Sequence, residues 1–153
     1  MIRRLIIFIA TGAYAGYVPL APGTAGAVVG LVVGRFLFAP LWQRSPTAFL
    51  MMFGVAFIVG CVVAGSAEKT LAEHDSPHIV LDEIFGMIAT MFLNPISWGC
   101  MIGGFALFRL FDIIKPWPAH RLEHAPGGLG VMLDDLAAGI YANLVLQIVR
   151  RVV

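Results

Sequence analysis

The acidic residues of this chain cluster beside apolar runs, where a carboxylate is costly to place. Of the nine acidic residues, four form two adjacent pairs at the edges of apolar runs, Asp82-Glu83 and Asp134-Asp135, and a fifth lies at Asp112. Adjacent carboxylates repel each other unless a cation lies between them, and Mg²⁺ is typically bound by one or two carboxylates together with phosphate oxygens of a substrate. Ionisable residues at membrane depth are also energetically costly, so they usually have a functional role. The three clusters therefore indicate a Mg²⁺ site that handles phosphate.

Each acidic pair has a simpler explanation when it is considered alone. Asp82-Glu83 and Asp134-Asp135 both precede predicted helices, and the helix dipole favours acids near a helix N-terminus. For one pair, that position would be the better explanation. Three clusters on one predicted face of the membrane favour the metal site instead.

Arg109 and Lys115 lie on either side of Asp112 and could neutralise a phosphate. Residues three apart share a helix face, so Arg109 and Asp112 are neighbours. Lys115-Pro116 should end that helix, because proline disfavours helical geometry in the residue before it. Arginine presents a rigid fork and lysine a mobile charge, so together they could hold a phosphomonoester. An Arg109–Asp112 ion pair, with Lys115 reaching toward lipid headgroups, explains the spacing equally well.

Two glycine-containing turns offer further contacts for a phosphate. Pro22-Gly23-Thr24 stands at a predicted helix start, where Thr24 can cap the helix and backbone N–H groups can bind a phosphate. Residues 127–130, Gly-Gly-Leu-Gly, could approach a phosphate in the same way, although a flexible turn explains them more simply.

The four histidines form two pairs with i, i+4 spacing, His74 with His78 and His120 with His124. This spacing can make a metal site on a helix, but the glutamate that zinc proteases place between such histidines is missing. We therefore expect solvated loop histidines.

The composition is that of an integral membrane protein. Of the 153 residues, 59% are hydrophobic and 12% are charged, and the mean hydropathy is +0.90, whereas about 25% of residues are charged in soluble domains. The net charge of +1 argues against nucleic-acid binding. Cys61 and Cys100 lie inside apolar runs, so neither a disulfide framework nor a zinc site is indicated. The length predicts one membrane-embedded domain over residues 1–153.

Breaks between the apolar runs predict an all-α, multi-helix membrane protein with short or re-entrant helices. Residues 5–18 are too few for the roughly 20 that a spanning helix needs. Residues 25–41 carry Gly26, Gly30 and Gly34 on one face, where helices in lipid can pack closely. Residues 47–65 have spanning length, and residues 84–111, interrupted by Asn94-Pro95, suit two short helices. Residues 136–149 form the last apolar run.

The remaining segments divide between two sides of the membrane. Polar loops at 66–83 and 112–135, the first of them holding a short helix and a turn, would lie on one side, and turns at 42–46 and 94–97 on the other. The polar side would carry Lys69, Lys115, Arg121 and the leading Arg3-Arg4. The positive-inside rule makes that side cytoplasmic. Arg150-Arg151 would lie on the opposite side, against the rule.

Three motifs together resemble the phosphatidylglycerophosphatase A family of bacterial membrane phosphatases. They are VPLAPGTAG near the N-terminus, HDSPHIVLDEIFGM in the middle, and FRLFDIIKPWPAHRLE followed by GGLGVMLDDLAAG. They occur in the family's order and cover the chain from about residue 11 to residue 139, while the apolar stretches between them match only in character.

The resemblance implies a Mg²⁺-dependent hydrolase of phospholipid metabolism. It would convert phosphatidylglycerophosphate to phosphatidylglycerol and phosphate, as a multi-pass protein of the bacterial inner membrane with its site facing the cytoplasm. The implied metal ligands are Asp82, Glu83, Asp112, Asp134 and Asp135. The implied phosphate-binding residues are Thr24, Arg109 and Lys115, and the implied catalytic residues are Asp82, Asp112, Lys115 and Asp134.

A small ion- or proton-coupled transporter is the competing hypothesis, in which the same acids would line a pathway. The acids gather on one side of the membrane rather than at mid-span, which argues against it. A structural subunit with glycine-faced helices would leave the acidic clusters without a role.

Overall fold

The computed structural model describes residues 1–73, 76–117, 119–122 and 127–152, and all regular secondary structure in these residues is helical. The helices are α1 (Ile2–Ala10), α2 (Pro22–Val33), α3 (Ala39–Arg44), α4 (Pro46–Leu71), α5 (Leu81–Met91), α6 (Trp98–Ile114), α7 (Ala119–Leu122) and α8 (Gly128–Val152). A π-helical turn at Gly34–Phe38 joins α2 to α3 without a break, and a 3₁₀ turn lies at Ala15–Tyr17.

Three helical segments within the described residues are long and apolar enough to cross a membrane. They are Pro22–Arg44, which combines α2 and α3, Pro46–Leu71, which is α4, and Gly128–Val152, which is α8. Many large apolar side chains on these segments are exposed, as expected of helices that face lipid. The predicted all-α membrane protein is therefore confirmed.

The two shorter central helices also agree with the prediction. Helices α5 and α6 have 11 and 17 residues, and the break between them contains Asn94-Pro95. Helix α6 ends at Ile114, and Lys115 adopts a left-handed backbone conformation with φ 45°. Lys115-Pro116 thus ends the helix as predicted.

Several predicted boundaries are wrong because helices continue through polar or glycine-rich residues. Helix α4 runs on to Leu71, so residues 66–71 extend a spanning helix and do not form a separate short one. Helix α3 continues to Arg44, and only Ser45 separates it from α4. Trp42 remains helical because its side chain is buried and packs edge-to-face on Phe49, with ring centroids 5.3 Å apart.

The largest correction concerns the start of α8. This helix begins at Gly128, so the predicted polar loop ends before Asp134-Asp135 and both acids lie inside the helix. The cause is a close backbone crossing, since a Cβ added at Gly128 would collide with the carbonyl oxygen of Cys61 on α4. Packing therefore overrides the low helix propensity of the Gly-Gly-Leu-Gly segment.

Helix α5 lies between α2 and α8, and glycines allow both close approaches. On the α2 side, a Cβ at Gly26 would lie 2.6 Å from Val80 Cβ, and one at Gly30 would lie 2.7 Å from the carbonyl oxygen of Ile84. On the α8 side, a Cβ at Gly139 would collide with the carbonyl oxygen of Gly86. The predicted close-packing face of the first spanning segment is thus confirmed.

The C-terminal end of α5 is buried, and an asparagine from α8 satisfies it. Asn143 Nδ2 donates to the carbonyl oxygens of Ala89, Thr90 and Phe92 at 3.1, 2.8 and 2.7 Å. The last carbonyls of a helix have no partner within it, and in a membrane they must be satisfied by protein. Asn143 therefore lets α5 end without crossing the membrane.

Candidate phosphate and metal site

The starts of α2, α5 and α8 and the end of α6 surround one cavity of about 600 Å³. Four helix ends, far apart in the sequence, meet at this place. All eight site residues singled out in the sequence line the cavity: Thr24, Asp82, Glu83, Arg109, Asp112, Lys115, Asp134 and Asp135.

The first turn of α5 supplies two of the acids. It is fixed from outside the helix by the N–H of Val80, which donates to the carbonyl oxygen of Ala10 at the end of α1 (3.0 Å). Asp82 and Glu83 lie in this turn. The simpler explanation for this pair was its place at a helix N-terminus, and the structure shows the pair there. The two carboxylates also line the cavity.

Three carboxylates are close enough to share one cation. Asp82, Glu83 and Asp135 each offer an oxygen atom, and these atoms lie within 4.8 Å of one another. Asp82 Oδ1 and Glu83 Oε2 are buried and have no hydrogen-bond partner in the described part of the chain. Buried carboxylate oxygens without partners fit a hard divalent cation, which prefers oxygen ligands.

The electrostatics of α5 lead to the same conclusion. Asp82 and Glu83 lie outside the three segments that could span the membrane. Burial raises the pKa of Asp82 well above its usual range, and the neighbouring Glu83 carboxylate raises it further. Burial also raises the pKa of Glu83. The ionised pair is therefore unfavourable by itself, and a bound divalent cation would stabilise it.

The other two acids are paired with the bases. Arg109 Nη1 lies 2.5 Å from Asp112 Oδ2, and Lys115 Nζ lies 2.7 Å from Asp134 Oδ2. The Arg109–Asp112 ion pair that the spacing allowed is thus formed. Lys115 bridges to Asp134 on α8.

Helix α2 contributes its N-terminus to the cavity wall. The helix begins at Pro22 with Ala21 at its N-cap position, so the prediction that Thr24 caps it is wrong. Gly23 packs against the site, because an added Cβ would collide with Glu83 Oε1 and lie 3.1 Å from Arg109 Nη1. The first N–H groups of a helix have no acceptor within it, so this wall can donate to an anion.

The histidines do not contribute to this cluster in the described residues. His78 stacks on Tyr17 with ring centroids 4.4 Å apart, and its Nδ1 lies 3.0 Å from the carbonyl oxygen of Gly16. This histidine therefore has a structural position and is only partly solvated. His74, His124 and the side chain of His120 lie outside the described residues.

Three residues with clear positions in the structure were not predicted from the sequence: Asn143, Leu20 and Ile113. Asn143 was overlooked, although an amide inside a long apolar run is a usable signal. Leu20 and Ile113 line the cavity beside its polar groups, and as apolar residues in an apolar sequence they gave no signal.

Fold and site together define a small helical membrane protein in which acidic and basic side chains line a cavity of about 600 Å³ at one end of the spanning helices. A family model described as Phosphatidylglycerophosphatase A matches residues 8–150. The chain belongs to this family of lipid phosphatases, and the resemblance seen in its motifs is confirmed.

Individual relatives cover most of the chain. It is 35% identical over 143 residues to a phosphatidylglycerophosphatase A of Haemophilus influenzae, covering 92% of this chain and 86% of that protein. It is 30% identical to the phosphatidylglycerophosphatase A of Escherichia coli, covering 92% and 81% of the two chains. A protein of Bacteroides thetaiotaomicron, provisionally named phosphatidylinositol-3-phosphatase, is 34% identical to this chain. The match covers 97% of this chain and 96% of that protein. No solved structure gives a significant match.

Proposed function

We propose that this protein hydrolyses the phosphomonoester of phosphatidylglycerophosphate to give phosphatidylglycerol and inorganic phosphate. The family match over residues 8–150 supports this reaction, as do the names of the Haemophilus and Escherichia relatives. The family also favours a phosphatase over the transporter hypothesis. The matched range supports our proposal that residues 1–153 form one membrane-embedded phosphatase domain.

The observation that carries the proposal is the charge balance of the cavity. Its described lining residues include five carboxylates and two bases, which leaves an excess of three negative charges when all are ionised. A phosphate dianion would be repelled from such a wall unless a cation joins it. A divalent cation bound by carboxylates is the usual solution for phosphate substrates.

We propose that Asp82, Glu83 and Asp135 hold Mg²⁺. These are the three acids whose oxygen atoms lie within 4.8 Å of one another. Bound Mg²⁺ would supply Lewis-acid polarisation of the phosphate group. Asp112 and Asp134 line the same cavity, but each has one oxygen paired with a base. We therefore propose that these two acids are secondary ligands of the metal ion.

The remaining residues bind the phosphate and assist its transfer to water. Arg109 and Lys115 neutralise charge that develops on the phosphoryl oxygens, and Thr24, in the first turn of α2, donates its hydroxyl to the same group. One carboxylate among Asp82, Asp112 and Asp134 orients the attacking water and accepts its proton. The new bond joins water oxygen to phosphorus, the bond from phosphorus to the glycerol oxygen breaks, and that oxygen takes up a proton.

We further propose that the protein lies in the bacterial inner membrane with the cavity facing the cytoplasm. Lys69, Lys115 and Arg121 belong to the cavity end of the helices, and the positive-inside rule favours that end as cytoplasmic. Arg150 and Arg151 lie at the other end of α8. Labelling of Arg121→Cys and Arg151→Cys in intact cells would test the orientation, with the native Cys61 and Cys100 first replaced by alanine. In that background only the Arg151→Cys variant should react with an impermeant thiol reagent.

The first test is phosphate release from phosphatidylglycerophosphate in detergent micelles. We expect release with Mg²⁺, loss of release with a chelator, and recovery when Mg²⁺ is restored. Asp82→Asn should abolish release, whereas Glu73→Gln, a substitution of an exposed acid outside the cavity lining, should retain it. Absence of release from folded wild-type protein would contradict the proposal. Faster turnover of phosphatidylinositol 3-phosphate would reassign the substrate.

A further inference from the structure

Two apolar side chains stand at the mouth of the polar cavity. Leu20 lies in the turn before α2, and Ile113 lies in the last turn of α6; both line the cavity. Nevertheless they are highly exposed, with relative exposures of 104% for Leu20 and 73% for Ile113. The mouth thus combines a polar interior with an apolar rim.

The backbone of Leu20 adds a second observation. Its φ is 76°, in the left-handed region that a bulky residue rarely adopts. Strain of this kind persists where the surrounding structure enforces it, and it concentrates at functional sites. Because the Leu20 side chain is fully exposed, packing within the described chain does not explain a leucine at this position.

The apolar rim lies directly beside the phosphate-binding groups. Helices α2 and α6 meet where Gly23 faces Arg109, since a Cβ at Gly23 would lie 3.1 Å from Arg109 Nη1. Leu20 is three residues before Gly23, and Ile113 is one helical turn after Arg109. An amphiphile whose phosphate lies against Arg109 would therefore place its apolar part at the rim.

We propose that Leu20 and Ile113 form a lip that holds the glycerol-proximal part of the acyl chains of the lipid phosphate. This inference rests on the proposed function. The continuity of the lip with the cavity identifies the occupant as the substrate's own acyl region, because the same two side chains border both. Acyl chain packed against them would bury apolar surface that is exposed at the mouth of the polar cavity and would thereby favour binding.

The test compares a diacyl substrate with its deacylated headgroup. We would measure kcat/KM for phosphatidylglycerophosphate in mixed micelles and for glycerophosphoglycerophosphate in solution. Leu20→Asn removes the apolar side chain and keeps a residue type that tolerates a left-handed backbone. Ile113→Gln likewise removes the apolar side chain and keeps a residue type that is compatible with a helix. Each should lower the ratio of diacyl to deacylated kcat/KM about ten-fold.

Two matched variants control for general effects of polar substitution. Leu93 is also an exposed leucine with positive φ, 59°, but lies after α5 at the other end of that helix, so Leu93→Asn should keep the wild-type ratio. Leu110 is exposed on α6 and is not among the described lining residues, so Leu110→Gln should keep it as well.

The outcomes separate the lip from the proposed function. Turnover of both substrates with an unchanged ratio in Leu20→Asn and Ile113→Gln would overturn the lip alone. An equal fall in the control variants would also overturn it, because any polar change on the lipid-facing surface would then suffice. If folded wild-type protein hydrolyses neither substrate, the proposed function fails and the lip fails with it.

Discussion

Lys115 Nζ lies 2.7 Å from Asp134 Oδ2, so the residue that ends α6 is tied to the second turn of α8. Both residues line the cavity. It also holds a lysine charge beside a carboxylate that is almost fully buried. The two helices that carry most of the site's charge are thus connected at the site itself.

Removing the charge of Lys115 should impair catalysis more than folding. We expect Lys115→Met to lower kcat/KM for lipid phosphate hydrolysis about 100-fold, because a preorganised charge at the phosphate is lost. Lys115→Arg keeps the charge and the same backbone strain at φ 45°, so it should retain more activity. Phosphate release and thermal unfolding in detergent would measure both effects. Wild-type kcat/KM in Lys115→Met would contradict the role of the lysine.

The raised pKa of Asp82 has a consequence for stability without metal. An acid with a higher pKa in the folded than in the unfolded state destabilises the fold as pH rises above its unfolded value. In chelator at neutral pH, Asp82→Asn should therefore have a higher Tm than wild type, because it removes a buried charge whose pKa burial has raised. The difference should disappear as the pH is lowered below the unfolded pKa of about 4.

Thermal unfolding across that pH range, with Glu73→Gln as the control, would check this prediction. Glu73 is exposed and accepts a hydrogen bond from Ser76 Oγ at 2.7 Å, so its substitution should not raise the Tm. A Tm of Asp82→Asn below that of wild type in chelator would show that the carboxylate stabilises the metal-free fold.

Gly23 should tolerate no side chain without loss of activity. A Cβ there would collide with Glu83 Oε1, and Glu83 can move away only by leaving its place in the acidic cluster. We expect Gly23→Ala to lower kcat/KM about 100-fold, as misplaced catalytic groups do, while the Tm changes little. Gly54→Ala is the control, since no described atom lies within 4 Å of its added Cβ. Normal turnover by Gly23→Ala would show that the Glu83 position is not critical.

Asn143 should contribute strongly to stability. Its amide donates to three carbonyl oxygens at the end of α5. Asn143→Leu would remove this donor from all three, although Asn94 Nδ2 would still donate to the carbonyls of Thr90 and Phe92. We expect a loss of about 2–4 kcal/mol, measured by unfolding in detergent. Gln147→Leu is the matched control, because Gln147 lies one turn further along α8 and its Nε2 donates to Asn143 Oδ1 at 2.8 Å. Equal losses in both variants would contradict a specific role at the α5 end.

Local features of the chain were predictable because they depend on residues within one or two helical turns. The glycine face of residues 26, 30 and 34 follows from helical spacing, and α5 packs against it. The helix stop at Lys115-Pro116 follows from proline sterics. The three-residue spacing allowed an Arg109–Asp112 ion pair as one of two equal explanations, and the ion pair is observed.

Other features depended on contacts between distant segments. A glycine-rich segment has low helix propensity, so residues 127–130 indicated a turn. In the structure Gly128 begins α8, because the absence of a side chain lets its backbone approach the α4 carbonyl of Cys61. That contact places Asp134-Asp135 on a buried helix surface instead of in a loop.

By itself, the sequence determined the helical membrane class and the residue types of a phosphate site, because both follow from composition and from motifs of a few residues. Only the tertiary structure decided which acids lie close enough to share a cation and which pair with bases. Asp135 lies 52 residues after Glu83, yet their oxygen atoms are within 4.8 Å. Close glycine crossings set that distance, and no local pattern encodes the relative placement of helices that pack against each other.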